Sequence, residues 1–320
     1  MDARRTRPGP GPRGFSKVEV VPSLLVATFA VAEFLLPEGF DAPGRAAVLR
    51  EASVVTEAGR LAWSRLGRRL GGHVAGRPAP YAGAAASRDV DPVVLVPGFL
   101  AGDATLSALA ASLREQGHRT YRSHIHANVG CTLRAAAQLE TRLESVAARR
   151  GRRVRIVGHS LGGLLARGLA VRRPDLVAGI VTLGSPMLAP GAHHPSLTRS
   201  LDALVRLSRA GVPGLMALEC VAGDCARTSF EESRQPLPPG VDFTALYSRR
   251  DGIVDWRACL DPEAEHVQVR STHCGMGVNA DVYEAMDQIL HRRQAHRARR
   301  RRVTAKGRPV RARKAATASA

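Results

Sequence analysis

A serine at position 160 lies between two glycines in the sequence GHSLG, residues 158–162. The segment follows a short apolar run, 154–157, and precedes an apolar helical pattern at 161–172. A sharp strand-to-helix turn would hold Ser160 in a strained conformation that the small glycines make room for. Its oxygen would stand at a helix N-terminus, where developing negative charge is favoured. The pattern therefore predicts a nucleophilic serine.

A serine nucleophile needs a base, and the base needs an acid that orients it. Asp251 follows a predicted strand at 243–248, and His273 follows another at 266–270. Because the ends of parallel strands meet at one sheet edge, we expect Ser160, Asp251 and His273 to lie together there. A resemblance to a known fold, set out below, implies that these three residues form a catalytic triad.

Other residues compete for these roles. Asp255 lies four positions after Asp251, and His266 precedes His273 but begins a strand, so its side chain should point elsewhere. His159 adjoins the serine and is interpreted as a packing or hydrogen-bonding neighbour. Three further polar residues follow the second predicted strand and would either line a pocket or hold a loop: His124, His126 and Asn128.

Short apolar strands alternate with helices through the middle of the chain. Strands are predicted at 93–96, 118–122, 154–157, 179–183, 243–248 and 266–270, and helices at 45–70, 103–116, 132–150, 161–172 and 280–292. Asp103 and Thr132 are expected to cap two of these helices. Such alternation predicts an α/β fold with a mostly parallel sheet covered by helices on both faces. The proline-containing stretch at about 187–240 is expected to be a small cap insertion.

Several motifs resemble the α/β-hydrolase fold of bacterial lipases and esterases over about residues 92–290. Residues 158–163 (GHSLGG) resemble its nucleophile turn, and 96–99 (VPGF) resemble its oxyanion loop, with proline in place of the usual histidine. Residues 247–254 (YSRRDGIV) and 271–276 (STHCGM) resemble its acid and histidine loops. The resemblance implies an oxyanion hole made by the backbone N–H groups of Phe99 and Leu161.

From this resemblance we expect hydrolysis of a small-molecule or lipid ester through an acyl-enzyme on Ser160, without a metal or organic cofactor. An acyltransferase would use the same triad, so the sequence leaves that alternative open. A non-catalytic binding protein on a hydrolase scaffold is the other alternative.

The net charge of +19 is concentrated at one end of the chain. Residues 291–320 contain twelve Lys or Arg and no acid, which leaves about +7 for the remainder. We interpret 293–320 as a disordered, solvated basic tail, with weak attachment to nucleic acid or anionic lipid as the alternative. The body contains no nucleic-acid recognition motif.

The chain before the predicted catalytic domain falls into two parts. Residues 1–17 are expected to be disordered, and 18–89 to form a helical segment and linker before an α/β domain at 90–292. Residues 20–36 form an apolar run after a basic start, which fits a secretion signal, a membrane anchor or a helix packed on the body. A helix at the membrane surface is a further option, so cytoplasmic, membrane-associated and secreted locations all stay open.

The five cysteines do not form an evident disulfide framework, since their number is low and odd. Cys220 and Cys225 are near enough in sequence to pair, as are Cys259 and Cys274, but spacing alone cannot establish either pair. No C-x-x-C spacing occurs, so the sequence predicts no zinc site.

Overall fold

The computed structural model describes residues 32–69 and 90–306. Several sequence predictions fall outside these residues: the disordered start at 1–17, most of the apolar run at 20–36, most of the linker, and the tail from 307. Of the helices within the described ranges, none has the length and apolar character needed to cross a membrane.

In the described part of the chain, the strands are β1 (Val93–Val96), β2 (Thr120–Arg122), β3 (Val154–His159), β4 (Val177–Leu183), β5 (Asp242–Tyr247) and β6 (Glu265–Gln268). These six strands are parallel and form a single sheet in the order β2-β1-β3-β4-β5-β6. This confirms the predicted fold class. The first strand has the predicted bounds, whereas the second is shorter than predicted.

Helices cover both faces of the sheet. Alternate residues of a strand point to opposite faces, and β1 shows this directly. The helices are α1 (Val54–Arg69), α2 (Ser107–Glu115), α3 (Thr132–Arg150), α4 (Leu161–Arg172), α5 (Pro195–Arg209), α6 (Leu218–Val221), α7 (Asp224–Arg234) and α8 (Ala280–Lys306). Val93 and Leu95 pack with α2 and α8, whereas Val94 and Val96 pack with α3 and α4.

The predicted insertion contains the three helices α5, α6 and α7, between β4 and β5. It is attached to the body at several points. His193 forms an isolated bridge with Val254, and Arg172 of α4 donates to Glu232 of α7 at 2.6 Å. The start of the insertion therefore lies beside the loop after β5, whereas α7 packs against α4 on one face of the sheet.

The N-terminal segment packs on the same body. A 3₁₀ helix over Ala47–Ser53 leads into α1, and Leu61 of α1 joins the core with α2 and α8. Two acidic residues of this segment, Glu51 and Glu57, are buried. A helix that buries carboxylates must supply them with hydrogen-bond donors, and those donors come from the loops described below.

Two predicted helix caps are wrong. Asp103 lies inside a 3₁₀ turn, and its carboxylate accepts hydrogen bonds from Ser123 and the His124 N–H instead. Thr132 is the first residue of α3, with Cys131 as the N-cap. The final helix also continues to Lys306, beyond the predicted end at 292 and into the stretch interpreted as a disordered tail.

Candidate active site

Ser160 lies at the junction of β3 and α4 with φ 51° and ψ −121°. A positive φ is strained for a residue with a side chain, and such strain occurs mainly at functional sites. Two glycines permit the turn: a Cβ on Gly158 would lie 2.4 Å from the Gly162 oxygen, and one on Gly162 would lie 2.3 Å from the Val96 oxygen. The glycines are therefore required by the close backbone contacts of this turn.

His273 and Asp251 are joined by a hydrogen bond of 2.7 Å between Nδ1 and Oδ2. Both residues are buried. The other oxygen of Asp251 accepts from the N–H groups of Ile253 and Val254 at 2.9 and 2.8 Å. These bonds fix the carboxylate so that one oxygen faces the imidazole.

Ser160 and the His273–Asp251 pair meet at the end of β4. The Ser160 N–H donates to the Leu183 oxygen at 2.9 Å. A Cβ on the next residue, Gly184, would lie 3.2 Å from His273 Nδ1 and 3.3 Å from Asp251 Oδ2. The structure thus brings all three predicted triad residues to one edge of the sheet.

The pKa of His273 is raised above its usual value of 6.5. Burial alone would lower it, but the charge of Asp251, the hydrogen bond to it and the charge of Glu51 together outweigh that effect. A carboxylate stabilises the imidazolium, which is the form that must appear when the histidine takes a proton from serine.

His159 adjoins this pair as a neutral residue. Burial, and then the nearby His273, lower the pKa of His159 to about 4. Its Nε2 lies 3.0 Å from the His273 backbone oxygen, so the neutral ring can donate a hydrogen bond there. The geometry agrees with its interpretation as a hydrogen-bonding neighbour.

The loop after β1 lies against the serine: a Cβ on Gly98 would be 3.0 Å from the Ser160 Cβ. Within the described part of the chain, the N–H groups of Phe99 and Leu161 have no acceptor, and both residues line one cavity with Ser160. Leu100, which follows Phe99, has a strained φ of 61°. Two free N–H groups beside the serine are the arrangement that an oxyanion needs.

Asn128 holds this loop in place. Its Nδ2 donates to the Pro97 oxygen at 3.0 Å, and its backbone pairs with Leu100 and Ala101 at 3.1 and 2.8 Å. His124 and His126 are exposed in a separate groove. Of the three polar residues after the second strand, Asn128 therefore has a positioning geometry.

Glu51 joins the two loops that carry the acid and the base. Its Oε1 accepts from the N–H groups of Gly252 and His273 at 2.9 and 3.1 Å, and its Oε2 accepts from Cys274 at 2.8 Å. The sequence analysis missed this residue because its segment shows only a helical pattern with charged residues. No local signal identifies its distant backbone partners.

Glu57, in the first turn of α1, also binds the histidine loop. It accepts from Ser271 Oγ at 2.7 Å, from the Thr272 N–H at 3.1 Å and from Asn279 Nδ2 at 2.6 Å. Burial raises its pKa, but these hydrogen bonds and one from the Thr272 hydroxyl outweigh that effect and lower the pKa below 4.5. The carboxylate is thus held ionised.

The rival residues lie elsewhere. Asp255 caps the 3₁₀ turn over Trp256–Cys259 and pairs with Arg257 at 2.7 Å. His266 is exposed and its Nε2 contacts the Asp261 oxygen at 2.7 Å. Neither contacts the Ser160 turn, so the geometry favours Asp251 and His273.

A mainly apolar cavity opens above Ser160, between the body and the insertion. The backbone turns of Phe99 and Leu161 form its base. Its walls combine residues of α4, α5 and the insertion with the start of the described N-terminal segment: Leu164, Leu197, Leu201, Met216, Val254 and Leu35. An apolar cavity with a few polar groups at one end is suited to an acyl chain.

All five cysteines are free thiols, so neither suggested disulfide is formed. Within residues 32–69 and 90–306, two groups of side chains lie close enough to share a metal ion: Cys131 with Cys220 and Cys225, and His118 with Asp287 and His291. Neither group includes Ser160, Asp251 or His273.

Comparison with known proteins agrees with the fold. Residues 123–211 match the family model described as a PGAP1-like alpha/beta domain. The crystal structure of mature lipase BlEst2 from Bacillus licheniformis superposes with a TM-score of 0.51 at 15% identity, over 63% of this chain and 92% of that one. This likeness shows the α/β-hydrolase fold.

Curated relatives match shorter stretches. A triacylglycerol lipase of Vibrio cholerae is 34% identical over 34% of this chain and 35% of its own length. A pimeloyl-[acyl-carrier protein] methyl ester esterase of Vibrio atlanticus is 25% identical over 46% of this chain and 74% of its own. A homoserine O-acetyltransferase of Deinococcus radiodurans is 29% identical over 42% of this chain, which spans only 37% of that relative. The resemblance to α/β-hydrolases of lipase and esterase type is confirmed.

Proposed function

We propose that this chain, an α/β-hydrolase of the lipase and esterase type, hydrolyses carboxylic esters through an acyl-enzyme on Ser160. The observation that carries the proposal is the buried His273–Asp251 hydrogen bond of 2.7 Å at the same sheet edge as the strained serine turn. Relatives named triacylglycerol lipase and methyl ester esterase support the same class of reaction.

In the first half of the reaction, Ser160 attacks the acyl carbonyl. The Nδ1–H group of His273 donates a hydrogen bond to Asp251 and keeps its proton. The unprotonated Nε2 can therefore accept the proton of the serine hydroxyl. Asp251 stabilises the imidazolium that results. The histidine then returns the proton to the departing alcohol, and the acyl group stays on Ser160.

The carbonyl oxygen becomes negatively charged during the attack. The free N–H groups of Phe99 and Leu161 line the cavity beside Ser160 and can donate to it. One such donor is worth about 10²–10³ in rate in a related arrangement. In the second half, water repeats the attack with His273 as its base, and the acid is released.

The apolar cavity supports an ester with a hydrocarbon acyl chain as substrate. Leu164 of α4 and Leu197 and Leu201 of α5 line this cavity together with Ser160. Burial of each methylene contributes about 0.8 kcal/mol, so activity should rise with chain length until the cavity is filled.

An acyltransferase reaction is the second candidate, and the match to a homoserine O-acetyltransferase is the observation that favours it. Here an acceptor hydroxyl would replace water at the acyl-enzyme. Product analysis with added alcohols separates the two reactions, because transfer yields a new ester at the expense of the free acid.

The test is hydrolysis of p-nitrophenyl esters from acetate to palmitate by the wild type, Ser160→Ala and a control, Ser107→Ala, at an exposed position on α2. We expect activity in the wild type and the control and its loss in Ser160→Ala. The proposal would be contradicted if Ser160→Ala were as active as the wild type, or if the wild type hydrolysed none of the esters.

A further inference from the structure

Three cysteines that are far apart in the sequence lie together in the fold. The sulfurs of Cys131, Cys220 and Cys225 are all within 4.8 Å of one another. Cys131 is the N-cap of α3 in the body, whereas Cys220 belongs to α6 and Cys225 to the first turn of α7 in the insertion. The cluster therefore connects the insertion with α3 of the body.

The spacing of the three sulfurs fits a metal site. Zinc binds thiolates at about 2.3 Å, and in tetrahedral geometry this places the sulfurs about 3.8 Å apart. Three sulfurs within 4.8 Å of one another need only small side-chain rotations to reach that arrangement. A disulfide, in contrast, would join two of the sulfurs and leave the third beside them.

The surroundings suit a cation with thiolate ligands. The N-terminus of the 19-residue helix α3 stabilises negative charge on Cys131. All three residues are half-buried and line a groove to which Glu219 also contributes. A fourth ligand position is thus open to water from the groove.

The cluster also adjoins the cavity above Ser160. Cys220 lines both that cavity and the groove, and Thr132, next to Cys131, lines the cavity as well. A cation held by these sulfurs would fix α6 and α7 against α3 and so fix this wall of the cavity.

We propose that Cys131, Cys220 and Cys225 bind one Zn²⁺ ion, which ties the insertion to the body. Soft thiolate ligands select Zn²⁺ over harder divalent cations. Binding releases the protons of the thiols that are not already ionised, and no electron is transferred. No sequence pattern indicates this site, because Cys131 is remote from Cys220 and Cys225 and no C-x-x-C spacing is present.

The test uses the full chain, reduced and freed of metal with a chelator, and titrated with Zn²⁺ and with Co²⁺ as a spectroscopic probe. We expect one ion per chain, a thiolate-to-cobalt charge-transfer band, and a higher unfolding temperature with Zn²⁺. Cys131→Ser, Cys220→Ser and Cys225→Ser should each lose more than about 100-fold in affinity, since even residues behind the ligands are worth 10–100-fold. Cys274→Ser, at an exposed thiol outside the cluster, should bind as the wild type does.

A second measurement needs no variant. Alkylation of the wild type, read by mass spectrometry, should be slowed by Zn²⁺ at the three clustered cysteines but not at Cys274. Equal labelling with and without Zn²⁺, or a disulfide within the cluster and no metal in the protein as purified, would overturn the proposal.

Discussion

The Glu51 carboxylate accepts a hydrogen bond from the backbone N–H of His273 at 3.1 Å, across 222 residues of sequence. The same oxygen accepts from Gly252, next to Asp251, at 2.9 Å. One side chain of the N-terminal segment therefore holds the loops of both the acid and the base. Residues before β1 therefore help to position the two loops of the proposed triad.

Replacing Glu51 tests this positioning role. Glu51→Gln keeps the size of the side chain but removes the charge that raises the pKa of His273. We expect kcat to fall by up to about 100-fold, because small displacements of reacting groups have such effects. The acid limb of the pH–rate profile should move to lower pH, since a less stabilised imidazolium loses its proton at lower pH.

The matched control is Glu38→Gln at an exposed position of the same segment, which should behave as the wild type. An unshifted acid limb in Glu51→Gln would show that the carboxylate supports the fold without acting on His273. Because wild-type activity is measured alongside, failure of this prediction is distinct from failure of the ester-hydrolase proposal.

The pKa of His273 predicts the pH dependence of the wild type. As the base, His273 must be neutral, and its pKa lies above 6.5. Activity should therefore fall as pH decreases through a value above 6.5. Asp251→Asn should lower that value and reduce kcat by about 10⁴-fold, as the loss of the orienting acid does in other triads. A wild-type profile that is flat from pH 8 down to pH 5 would contradict the assignment of His273.

The lowered pKa of Glu57 predicts that the stability of the fold depends on pH. Its pKa in the fold is lower than 4.5, so its contribution is complete above that value and is lost as pH falls through the lowered pKa. Glu57→Gln should reduce the free energy of unfolding at pH 7 by about 1–3 kcal/mol, because the amide cannot accept from all the donors around it. The difference from the wild type should shrink in acid.

Denaturant unfolding at pH 7 and in the acid range checks this prediction, with Glu284→Gln, exposed on α8, as the control. If the free energy of unfolding of Glu57→Gln were lower than that of the wild type by the same amount at every pH, the ionised carboxylate would not be the stabilising form.

The hydrogen bond from Asn128 to the oxyanion loop predicts that replacing Asn128 lowers the rate of ester hydrolysis. Asn128→Ala removes the hydrogen bond to the Pro97 oxygen and frees the backbone that sets the Phe99 N–H. We expect kcat to fall by about 10-fold with little change in KM. Displacement of the Phe99 N–H should reduce the rate less than complete removal of an oxyanion-hole donor does. Steady-state kinetics of Asn128→Ala and of His126→Ala, at an exposed neighbouring position, check this prediction. An equal decrease of kcat in the two variants would argue against a specific role for Asn128.

Much of the sheet, and the loops that carry Asp251 and His273, could be predicted from the sequence because their signals are local. The bounds of β1, α3 and α4 were predicted as the structure has them, since apolar runs and helical periodicity mark them directly. The proximity of Asp251 and His273 could be predicted because each follows a strand, and parallel strands bring their ends to one edge.

The supporting contacts could not be predicted, since they depend on long-range packing. Glu51 and Glu57 lie in a helical pattern in which carboxylates are usually exposed to solvent, and their partners are backbone N–H groups of distant loops. The proximity of Cys131 to Cys220 and Cys225 arises in the same way, from the docking of the insertion on α3. The cap assigned to Thr132 was wrong by one residue because Cys131 occupies that position.

Covalent labelling of Ser160 tests the central claim most directly. The wild type would be treated with a fluorophosphonate, which reacts with serines activated by a neighbouring base, and the modified peptide identified by mass spectrometry. The account predicts one added group per chain on the peptide containing residues 158–162, with no labelling in Ser160→Ala and much slower labelling in His273→Ala. Modification at another residue, or labelling of Ser160→Ala at the wild-type rate, would contradict it.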